Sequence, residues 1–418
     1  MNKKQIFVRT ALAIAVAGST TSAFAAGFQL NGHSATGLGR AFAGDAVIAD
    51  NASVISRNPA AMSLFDAPAI TMGLVAIDTD VKVKDAEYKK TLNTQIGAIP
   101  MGTEKLSDEQ IGGTSLVPNI YYVHPISSKW AVGAGLYSNF GTKTEFSSDY
   151  EANLFGGLTD VKSVNLGLAT SYRINEIWSV GAGLDIIQGS GNLQRQIGTQ
   201  KAVDIDADGI AFGWIAGATF EINKDNRLGF SYRKSPELKA DGKIEKAGIQ
   251  QSGDLLMPLP DLAEISGYHK LTNKFALSYS VQWIEWEEFK VLETEGASEP
   301  LNTYEWKNAW HFSVGGTYFL NEDWTLRAGY MYDMSAQDEI TSISVPDSDR
   351  QWFSAGFTYH MSKHSDIDFG FTYLMGEDVN VNENKLVPLD ATKSLLNEVT
   401  ATTRANAWLY GIQYSYKF

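Results

Sequence analysis

Residues Phe275 to Trp283 read Phe-Ala-Leu-Ser-Tyr-Ser-Val-Gln-Trp, and this stretch decides the fold class. Every second residue is large and apolar, while the residues between them are Ala, Ser, Ser and Gln. A strict period of two predicts a β-strand, because successive side chains of a strand point to opposite faces. Aromatic residues stand at both ends of the apolar face, as in the aromatic girdles of a membrane barrel. The stretch therefore predicts a strand with lipid on one side and a polar lumen on the other.

The same alternation begins at Trp130, Trp178 and Trp324. Short polar turns precede six predicted strands, at Ser127–Lys129, Asn175–Ile177, Asn223–Asn226, Thr272–Lys274, Asn321–Asp323 and Ser362–His364. The segments at the other strand ends, such as Thr79–Thr114 and Thr142–Lys162, are long and polar. Short turns on one side and long loops on the other are typical of outer-membrane barrels.

Strand number follows from the spacing of these turns. Successive turns lie about 48 residues apart, and roughly 350 residues follow the first predicted strand near Ala69. Because bacterial barrels carry even strand numbers, we predict an all-β transmembrane antiparallel barrel of about 14 strands. A β-propeller also repeats at about 40–45 residues, but it needs four strands per repeat and lacks an apolar outer face.

The chain stops on Phe418, inside a final alternating stretch that begins at Trp408. In a closed barrel this last strand pairs with the first one and leaves no exposed edge.

The composition excludes several classes of partner and of chemistry. The 418 residues include no Cys and carry a formal charge of -14, with 34 basic against 48 acidic residues. The negative charge argues against nucleic acid as a partner, because phosphates would be repelled. The lack of Cys excludes thiol catalysis, disulfides and Cys-ligated zinc, and we predict neither a cofactor nor a metal.

The N-terminus predicts export. Lys3, Lys4 and Arg9 precede the apolar stretch Ala11–Ala17, and Ala23-Phe24-Ala25 forms a small-residue cleavage site. Residues 1–25 are therefore predicted to be a secretory signal peptide. Residues 26–67 then fit neither the signal nor the strand pattern, and their small residues predict short helices. Because a barrel of this size leaves room in its lumen, we place them inside it as a plug, or hatch, with the barrel spanning 68–418.

Several motifs resemble the FadL-type long-chain fatty-acid transporters of Gram-negative outer membranes. They are Ala26–Asn31, Thr36–Ala41, Ser56–Ala60, Ser344–Arg350, Trp352 and Ser354–Gly356. The resemblance implies a 14-stranded monomeric barrel in the outer membrane with an N-terminal hatch. It also implies passive, ligand-gated uptake through an outer apolar groove, a tighter pocket and a lateral gap in the wall. The partners would be long-chain fatty acids, or similar hydrophobic ligands, and the lipid of the outer membrane.

That route is physically sensible, because each CH₂ of an acyl chain prefers an apolar site by ~0.8 kcal/mol. A barrel wall opens only where ladder hydrogen bonds are lost, so an opening needs a kink or bulge. The candidate kink is Ser138–Gly141, which includes Asn139, Phe140 and Gly141. The resemblance places Asn58-Pro59-Ala60 beside it as part of the gate. The other reading of Asn58-Pro59-Ala60 is a plain turn before the first strand.

The resemblance also implies ligand-binding residues. Arg195 would hold the ligand carboxylate, since Arg pairs bidentately with such a group, although an ordinary lumen or loop charge is the alternative. A second family cation is replaced here by Asn302, which weakens the predicted preference for acids, and Lys307 is a candidate substitute. Phe28 would reach the pocket from the hatch, or else only pack within the hatch.

Two loop segments invite binding hypotheses. The apolar run Leu255-Leu256-Met257-Pro258-Leu259 is predicted to be an exposed outer groove, or else a loop folded onto its own side chains. The motif Asp204-x-Asp206-x-Asp208-Gly209 opens like a calcium loop, but Ile215 stands where the bidentate Glu is needed, so a solvated acidic loop is favoured.

The six His residues show no Ser/His/acid spacing that specifies a triad, so an enzyme is not predicted. A transporter of neutral or aromatic hydrophobic compounds and a general porin remain the alternative functions.

Overall fold

The computed structural model describes residues 27–338 and 340–418. The predicted signal peptide lies outside the described residues. Among the helices of the described chain, none is both long and apolar enough to cross a membrane.

Within the described residues, fourteen antiparallel strands form a closed barrel, as the alternation and spacing predict. The barrel strands are β1 (Ala69–Thr94), β2 (Thr114–Pro125), β3 (Trp130–Tyr137), β4 (Leu158–Arg173), β5 (Trp178–Ile197), β6 (Gln200–Asn223), β7 (Asn226–Lys234), β8 (Leu262–Thr272), β9 (Phe275–Ile284), β10 (Ala309–Phe319), β11 (Trp324–Asp333), β12 (Arg350–His360), β13 (Ser365–Gly376) and β14 (Lys393–Lys417).

The long segments between strands carry more β-structure than the sequence predicts. The predicted loop Thr79–Thr114 begins inside β1, which runs on to Thr94, and Gly97–Lys105 then pairs back along β1. Further short strands are Glu109–Gln110, Gly141–Glu145, Glu237–Lys246, Ile249–Gln250, Leu255–Pro258, Val291–Thr294, Asn302–Thr303 and Val379–Asp390. The barrel therefore continues beyond its membrane-crossing part as paired hairpins.

The two faces of the wall differ as the alternation predicts. Leu184, Phe212 and Trp130 are 63%, 72% and 49% exposed on the outer face. Their inward neighbours Ala131, Asp185 and Ala211 are buried. A large apolar outer face matched with small or polar inward residues fits lipid outside and a filled lumen inside.

The first and last strands close the barrel. Residues Ala69–Asn93 of β1 run antiparallel to Ser394–Lys417 of β14, with one shift of register between Lys84 and Glu87. The backbone N–H of Phe418 donates to the Pro68 carbonyl oxygen at 2.9 Å, so pairing extends to the last residue. The predicted pairing of the last strand with the first is confirmed. We call this contact between β1 and β14 the closing seam.

The hatch fills the lumen with short helices, at Ala35–Gly39, Ala52–Ser56 and Pro59–Leu64, and a further short helix, Trp286–Glu288, lies outside it. The side chains of Ser34, Asn51 and Asn58 accept backbone N–H bonds at the three helix starts in the hatch. Such caps satisfy backbone donors that a short helix would otherwise leave unpaired.

Contacts between the hatch and the wall are close and charged. A Cβ on Gly329 would lie 2.1 Å from the Arg40 carbonyl oxygen, so this inward position of β11 admits only glycine. Arg40 pairs with Asp45 at 3.1 Å and with Asp50 at 2.7 Å, and Asp50 also meets Arg327 of the wall at 3.5 Å. Buried pairs of this kind fix the position of the hatch, because removing one partner leaves a charge uncompensated.

Candidate functional site

A narrow apolar cavity lies between the top of the hatch and the hairpins above it, and we call it the upper pocket. It contains about 530 Å³ of space not filled by atoms. Its lining includes Phe28, Leu193, Ile205, Leu255, Met257, Phe289, Leu292, Tyr304, Trp306 and Val345. A few polar groups, among them Thr159 and Asn192, complete the wall. A cavity lined largely by apolar and aromatic side chains with a few polar groups is typical of a site for a hydrophobic ligand.

Phe28 forms the floor of the upper pocket. Its ring lies 4.6 Å from that of Trp286, 5.2 Å from that of Phe289 and 5.7 Å from that of Trp306, measured between centroids. The backbone of Gly27 has φ of 64°, and a Cβ there would lie 2.5 Å from the Trp306 ring. Glycine therefore lets the chain enter beneath the aromatic cluster and present Phe28 to it.

The apolar run Leu255–Leu259 lies inside the protein. Leu255, Met257 and Leu259 are buried, and Leu256 and Pro258 are half-buried. Leu255–Pro258 forms a strand that pairs with Glu237–Lys246, and its inward side chains line the upper pocket. The prediction of an exposed outer groove is therefore wrong, because pairing with two neighbouring strands turns this apolar face inward.

Arg195 lies at the upper edge of this pocket. It is 6% exposed, and its guanidinium donates to the carbonyl oxygens of Leu158 at 2.7 Å and Gln194 at 2.8 Å. A third bond goes to the hydroxyl of Thr159, which lines the pocket, at 2.8 Å. No carboxylate in the described chain lies within ion-pair distance of Arg195. A buried cation held only by neutral oxygens retains its attraction for an anion.

The carboxylate charge of Glu383 acts on Arg195. It belongs to the hairpin strand Val379–Asp390, outside the membrane-crossing strands, and its Oε1 accepts the Ile343 N–H at 2.7 Å. Desolvation by burial raises the pKa of Glu383 to about 7, although the backbone bond and Arg195 oppose the shift. The hydroxyl of Tyr304, which lines the upper pocket, also has a raised pKa because burial disfavours its anion.

Asn302 and Lys307 do not supply a second cation to the upper pocket. Asn302 forms part of a two-residue strand and contacts the Tyr304 hydroxyl. Lys307 is 46% exposed and pairs with Asp338 at 3.3 Å. The contacts of Lys307 therefore do not support its predicted replacement of the missing cation.

The wall is interrupted at Ser138, Asn139 and Phe140, which we call the kink segment. Tyr137 of β3 pairs with Asn165 of β4, and pairing resumes with Gly141 opposite Lys162. Three residues therefore oppose two, which is a β-bulge, and β3 ends there. The kink predicted near Asn139, Phe140 and Gly141 is present.

The kink segment pairs with the start of the hatch instead of with β2. Leu30 N–H donates to the Asn139 carbonyl oxygen at 2.6 Å, and Gly141 N–H donates to the Phe28 carbonyl oxygen at 2.9 Å. Gln29 and Phe140 therefore face each other as an antiparallel bridge. The floor of the upper pocket and the break in the wall thus belong to one hydrogen-bonded unit.

Loss of this strand leaves a gap beside β2, which we call the open seam. Only Ile120–Pro125 of β2 pair with β3, so residues 114–119 have no strand partner on that side within the described chain. Above the gap, Glu145 N–H donates to the Ile111 carbonyl oxygen at 3.0 Å. Leu116 beside the gap is 40% exposed on the outer face, where lipid lies. The ladder between β2 and β3 is thus interrupted along residues 114–119 of the described chain.

A family model described as outer membrane protein transport protein (OMPP1/FadL/TodX) matches residues 16–418. The chain belongs to this family. The long-chain fatty acid transport protein of Escherichia coli O6:H1 is 32% identical over 467 aligned positions that cover 100% of both chains. Together with the barrel, this membership places the chain in the outer membrane.

Solved structures agree with the fold of this OMPP1/FadL/TodX member. A FadL homologue from Pseudomonas aeruginosa superposes with a TM-score of 0.80 at 21% identity, covering 94% of this chain and 100% of that one. The toluene transporter TodX of Pseudomonas putida superposes with a TM-score of 0.63 at 18% identity, covering 93% and 99%. At such identities the similarity extends to the fold alone.

The family motif Asn58-Pro59-Ala60 occupies a different place from the one expected. The Asn58 side chain donates to the carbonyl oxygens of Ala46 at 2.7 Å and Ala218 at 3.1 Å. A Cβ on Gly181 would lie 2.4 Å from Ala60 N, so the motif rests on β5 and β6. Within the described residues, no hydrogen bond joins the motif to the kink segment, which instead contacts Phe28–Leu30.

The aspartates of the suspected calcium loop lie in β6, not in a loop. Asp204 is buried and bonded to Lys201 at 2.6 Å and to Lys243. No group of three or more His, Asp or Glu residues in the described chain could hold a metal ion. The acidic motif is therefore part of an ion-paired strand.

The sequence reasoning missed the aromatic cluster around Phe28. The cluster comes from one segment between β9 and β10. Trp286 and Phe289 lie near its start, and Tyr304 and Trp306 lie near its end. Their concentration in an otherwise polar segment is the signal that could have identified them, because large aromatic side chains need a partner surface.

Proposed function

We propose that the protein takes up long-chain fatty acids across the outer membrane by passive, ligand-gated movement. One observation carries this proposal: the floor of an apolar pocket and the break in the barrel wall are joined by the same backbone bonds, between Phe28–Leu30 and Asn139–Gly141. Displacing Phe28 from the aromatic cluster therefore disturbs the segment beside the open seam.

The steps follow from the contacts. An acyl chain gains ~0.8 kcal/mol for each CH₂ transferred into the upper pocket, while Arg195 supplies the cation for its carboxylate. Occupying the pocket requires Phe28 to move, since this ring fills the space between Trp286 and Phe289. The ligand then leaves sideways through the open seam into lipid. No energy source is needed, because the acyl chain passes from the apolar upper pocket to the bilayer, which is also apolar.

The proposal assigns roles to parts of the chain. Residues 1–25 direct export and are removed, residues 26–67 form the movable hatch, and 68–418 form the wall. Phe28, Arg195, Leu255, Leu256 and Met257 bind ligand, with Leu256 contributing beside its buried neighbours. Asn139, Phe140 and Gly141 form the gate, and Asn58, Pro59 and Ala60 anchor the hatch that moves against it. The chain moves its ligand without changing a bond, so no catalytic residue is assigned.

A second candidate function is uptake of neutral aromatic compounds. Asn302 replaces the second family cation, and the pocket floor is aromatic, with Trp286, Phe289 and Trp306 around Phe28. A relative of known structure is described as a toluene transporter.

Equilibrium binding of oleate and toluene to the purified protein separates the two candidates. We expect saturable oleate binding at a lower concentration than toluene binding, and slow swelling of proteoliposomes in sucrose. Toluene binding without oleate binding would favour the second candidate. Rapid sucrose entry would contradict both, because it requires an open aqueous pore.

A further inference from the structure

Below Phe28 the lumen contains a second cavity of different character, which we call the lower cavity. It has about 280 Å³ of space not filled by atoms. Its polar lining includes His33, Arg57, Asn139, Glu264 and Gln282. The upper pocket is lined by apolar groups, whereas this cavity offers hydrogen-bonding ones.

Two buried donors in the lower cavity have no hydrogen-bond partner among the described residues. They are Nε of Arg57 and Nδ2 of Asn139, whose side chains are 7% and 1% exposed. Leaving a buried donor unpaired costs about 1–3 kcal/mol, and more for a charged group. Both donors line one cavity, so a single acceptor group placed there would satisfy both.

The charges in the lower cavity are unevenly balanced. Arg233 is committed to Asp185, to the Tyr137 hydroxyl and to the Ser56 carbonyl oxygen. Arg57 reaches the carboxylate of Glu264 through one long contact of 3.5 Å, and it donates a second hydrogen bond to Asn31 Oδ1 at 2.9 Å. Glu264 meanwhile accepts a bond from Ser266 at 2.8 Å. Arg57 is therefore only weakly paired with Glu264.

The lower cavity lies between the aromatic cluster around Phe28 and the kink segment. Asn139 belongs to the kink segment, while His33 Nε2 lies 3.2 Å from the Ser138 carbonyl oxygen and ties the hatch to the same segment. Leu262 belongs both to the apolar cluster around Phe28 and to the lining of the lower cavity. A ligand that passes Phe28 towards the open seam therefore meets Arg57 and Asn139 next.

We propose that the lower cavity is a second carboxylate site, which holds the head group of a fatty acid while its tail enters the lipid through the open seam. The inference rests on the proposed function. Nε of Arg57 and Nδ2 of Asn139 donate to the ligand carboxylate, which takes the place of Glu264 beside Arg57. Arg195 thus binds the carboxylate at the upper pocket, and Arg57 binds it in the lower cavity, beside the open seam.

The test compares uptake of oleate with uptake of oleyl alcohol, which has the same tail and a neutral head, in proteoliposomes. With Arg57→Met we expect roughly tenfold slower oleate uptake, unchanged oleate binding to the upper pocket and unchanged oleyl alcohol uptake. Equal loss for both ligands would show a purely structural role for Arg57 and overturn the site. Undiminished oleate uptake would overturn it as well.

Two further variants guard against loss of folding. Arg173→Met also removes a cation that bonds the hatch, at the Ser63 carbonyl oxygen, but it lies outside the lower cavity, so oleate and oleyl alcohol uptake should change alike. Glu264→Gln removes the competing carboxylate and should speed oleate uptake, and slower uptake would contradict the exchange. Absence of oleate uptake by the unaltered protein would instead refute the proposed function itself.

Discussion

The closing seam and the open seam are two contacts between neighbouring strands of one barrel, and they differ in extent. At the closing seam, β1 follows β14 from Ala69 to Asn93. At the open seam, β2 follows β3 only from Ile120 to Pro125. The first seam joins the first and last strands of the barrel, whereas the second joins strands linked by a short turn.

The difference shows that sequence proximity does not decide where this wall is weak. β3 leaves the wall because its continuation finds backbone partners in the hatch, where Phe28 and Leu30 bond to Gly141 and Asn139. Gly141 N–H and the Asn139 carbonyl oxygen are bonded by the hatch, and Phe140 N–H donates to the Ser163 hydroxyl at 3.0 Å, so these backbone groups of the bulge are paired. The start of the hatch therefore takes the place of a wall strand beside the kink segment.

The largest expected effect comes from removing the bulge. Deleting Asn139 leaves two residues opposite Val164 and Ser163, which restores a regular ladder between Tyr137 and Gly141. We expect oleate uptake to fall at least tenfold, because the open seam closes, while oleate binding falls less. Uptake and binding are measured on the same proteoliposome preparation.

A matched deletion at the closing seam serves as the control. One extra residue also stands between Lys84 and Glu87, where the register against β14 shifts. Deleting Asp85 regularises that ladder without touching the open seam, so oleate uptake should stay within about twofold of the unaltered value. If the two deletions slow oleate uptake equally, removal of any bulge slows uptake, and the effect is not specific to the open seam.

The next largest expected effect is on ligand binding at the upper pocket, as distinct from release through the open seam. Arg195→Met removes the buried cation at the upper pocket, so oleate binding should weaken by roughly 10- to 100-fold, the range for a charge-assisted hydrogen bond. Toluene binding should not change, because no carboxylate is involved.

Lys307→Met is the matched control for Arg195→Met, since Lys307 is half-exposed and faces Asp338. Its oleate affinity should equal that of the unaltered protein. Loss of toluene binding in the Arg195 variant would show collapse of the pocket and contradict the assigned role.

The smallest effect concerns the outer end of the closing seam. The raised pKa of Glu383, about 7, means that the folded hairpin binds this proton more tightly than the unfolded chain does. Stability is therefore lost as pH rises from about 4.5 to about 7 and is largest below that window. The protection factors of the amides in Val379–Asp390, which remove the intrinsic pH dependence of exchange, should be larger at pH 5 than at pH 7.5, by less than about tenfold. Glu383→Gln should abolish the difference, and a difference that persists would assign it to another group.

The alternation in Phe275–Trp283 and the final stretch to Phe418 predicted the strands, their outer faces and the closing pair, because period and polarity are local properties. The place of Asn58-Pro59-Ala60 was not predictable, since its contacts with Gly181 and Gly217 depend on how the hatch settles in the lumen. Burial of Leu255 and Met257 likewise follows from pairing with strands far along the chain. The glycine of a kink is a local signal that the sequence shows. The segment that stabilises the kink lies far away along the chain, and the local sequence does not indicate it.

The central claim is that the start of the hatch controls the open seam, and a reversible cross-link tests it most directly. Gln29 and Phe140 form a pair that exchanges no backbone bonds with each other, so their Cα atoms lie close enough for a disulfide, at about 4.5 Å. Ala69 and Lys417 form a similar pair at the closing seam. The chain has no Cys of its own, so each engineered pair is unambiguous.

Oleate uptake is measured for both double-cysteine variants before and after reduction. The account predicts that the oxidised Gln29→Cys/Phe140→Cys protein is at least tenfold slower than its reduced form, whereas the Ala69→Cys/Lys417→Cys protein is indifferent to reduction. Uptake by the oxidised Gln29→Cys/Phe140→Cys protein at the rate of its reduced form would contradict control of the open seam by the hatch.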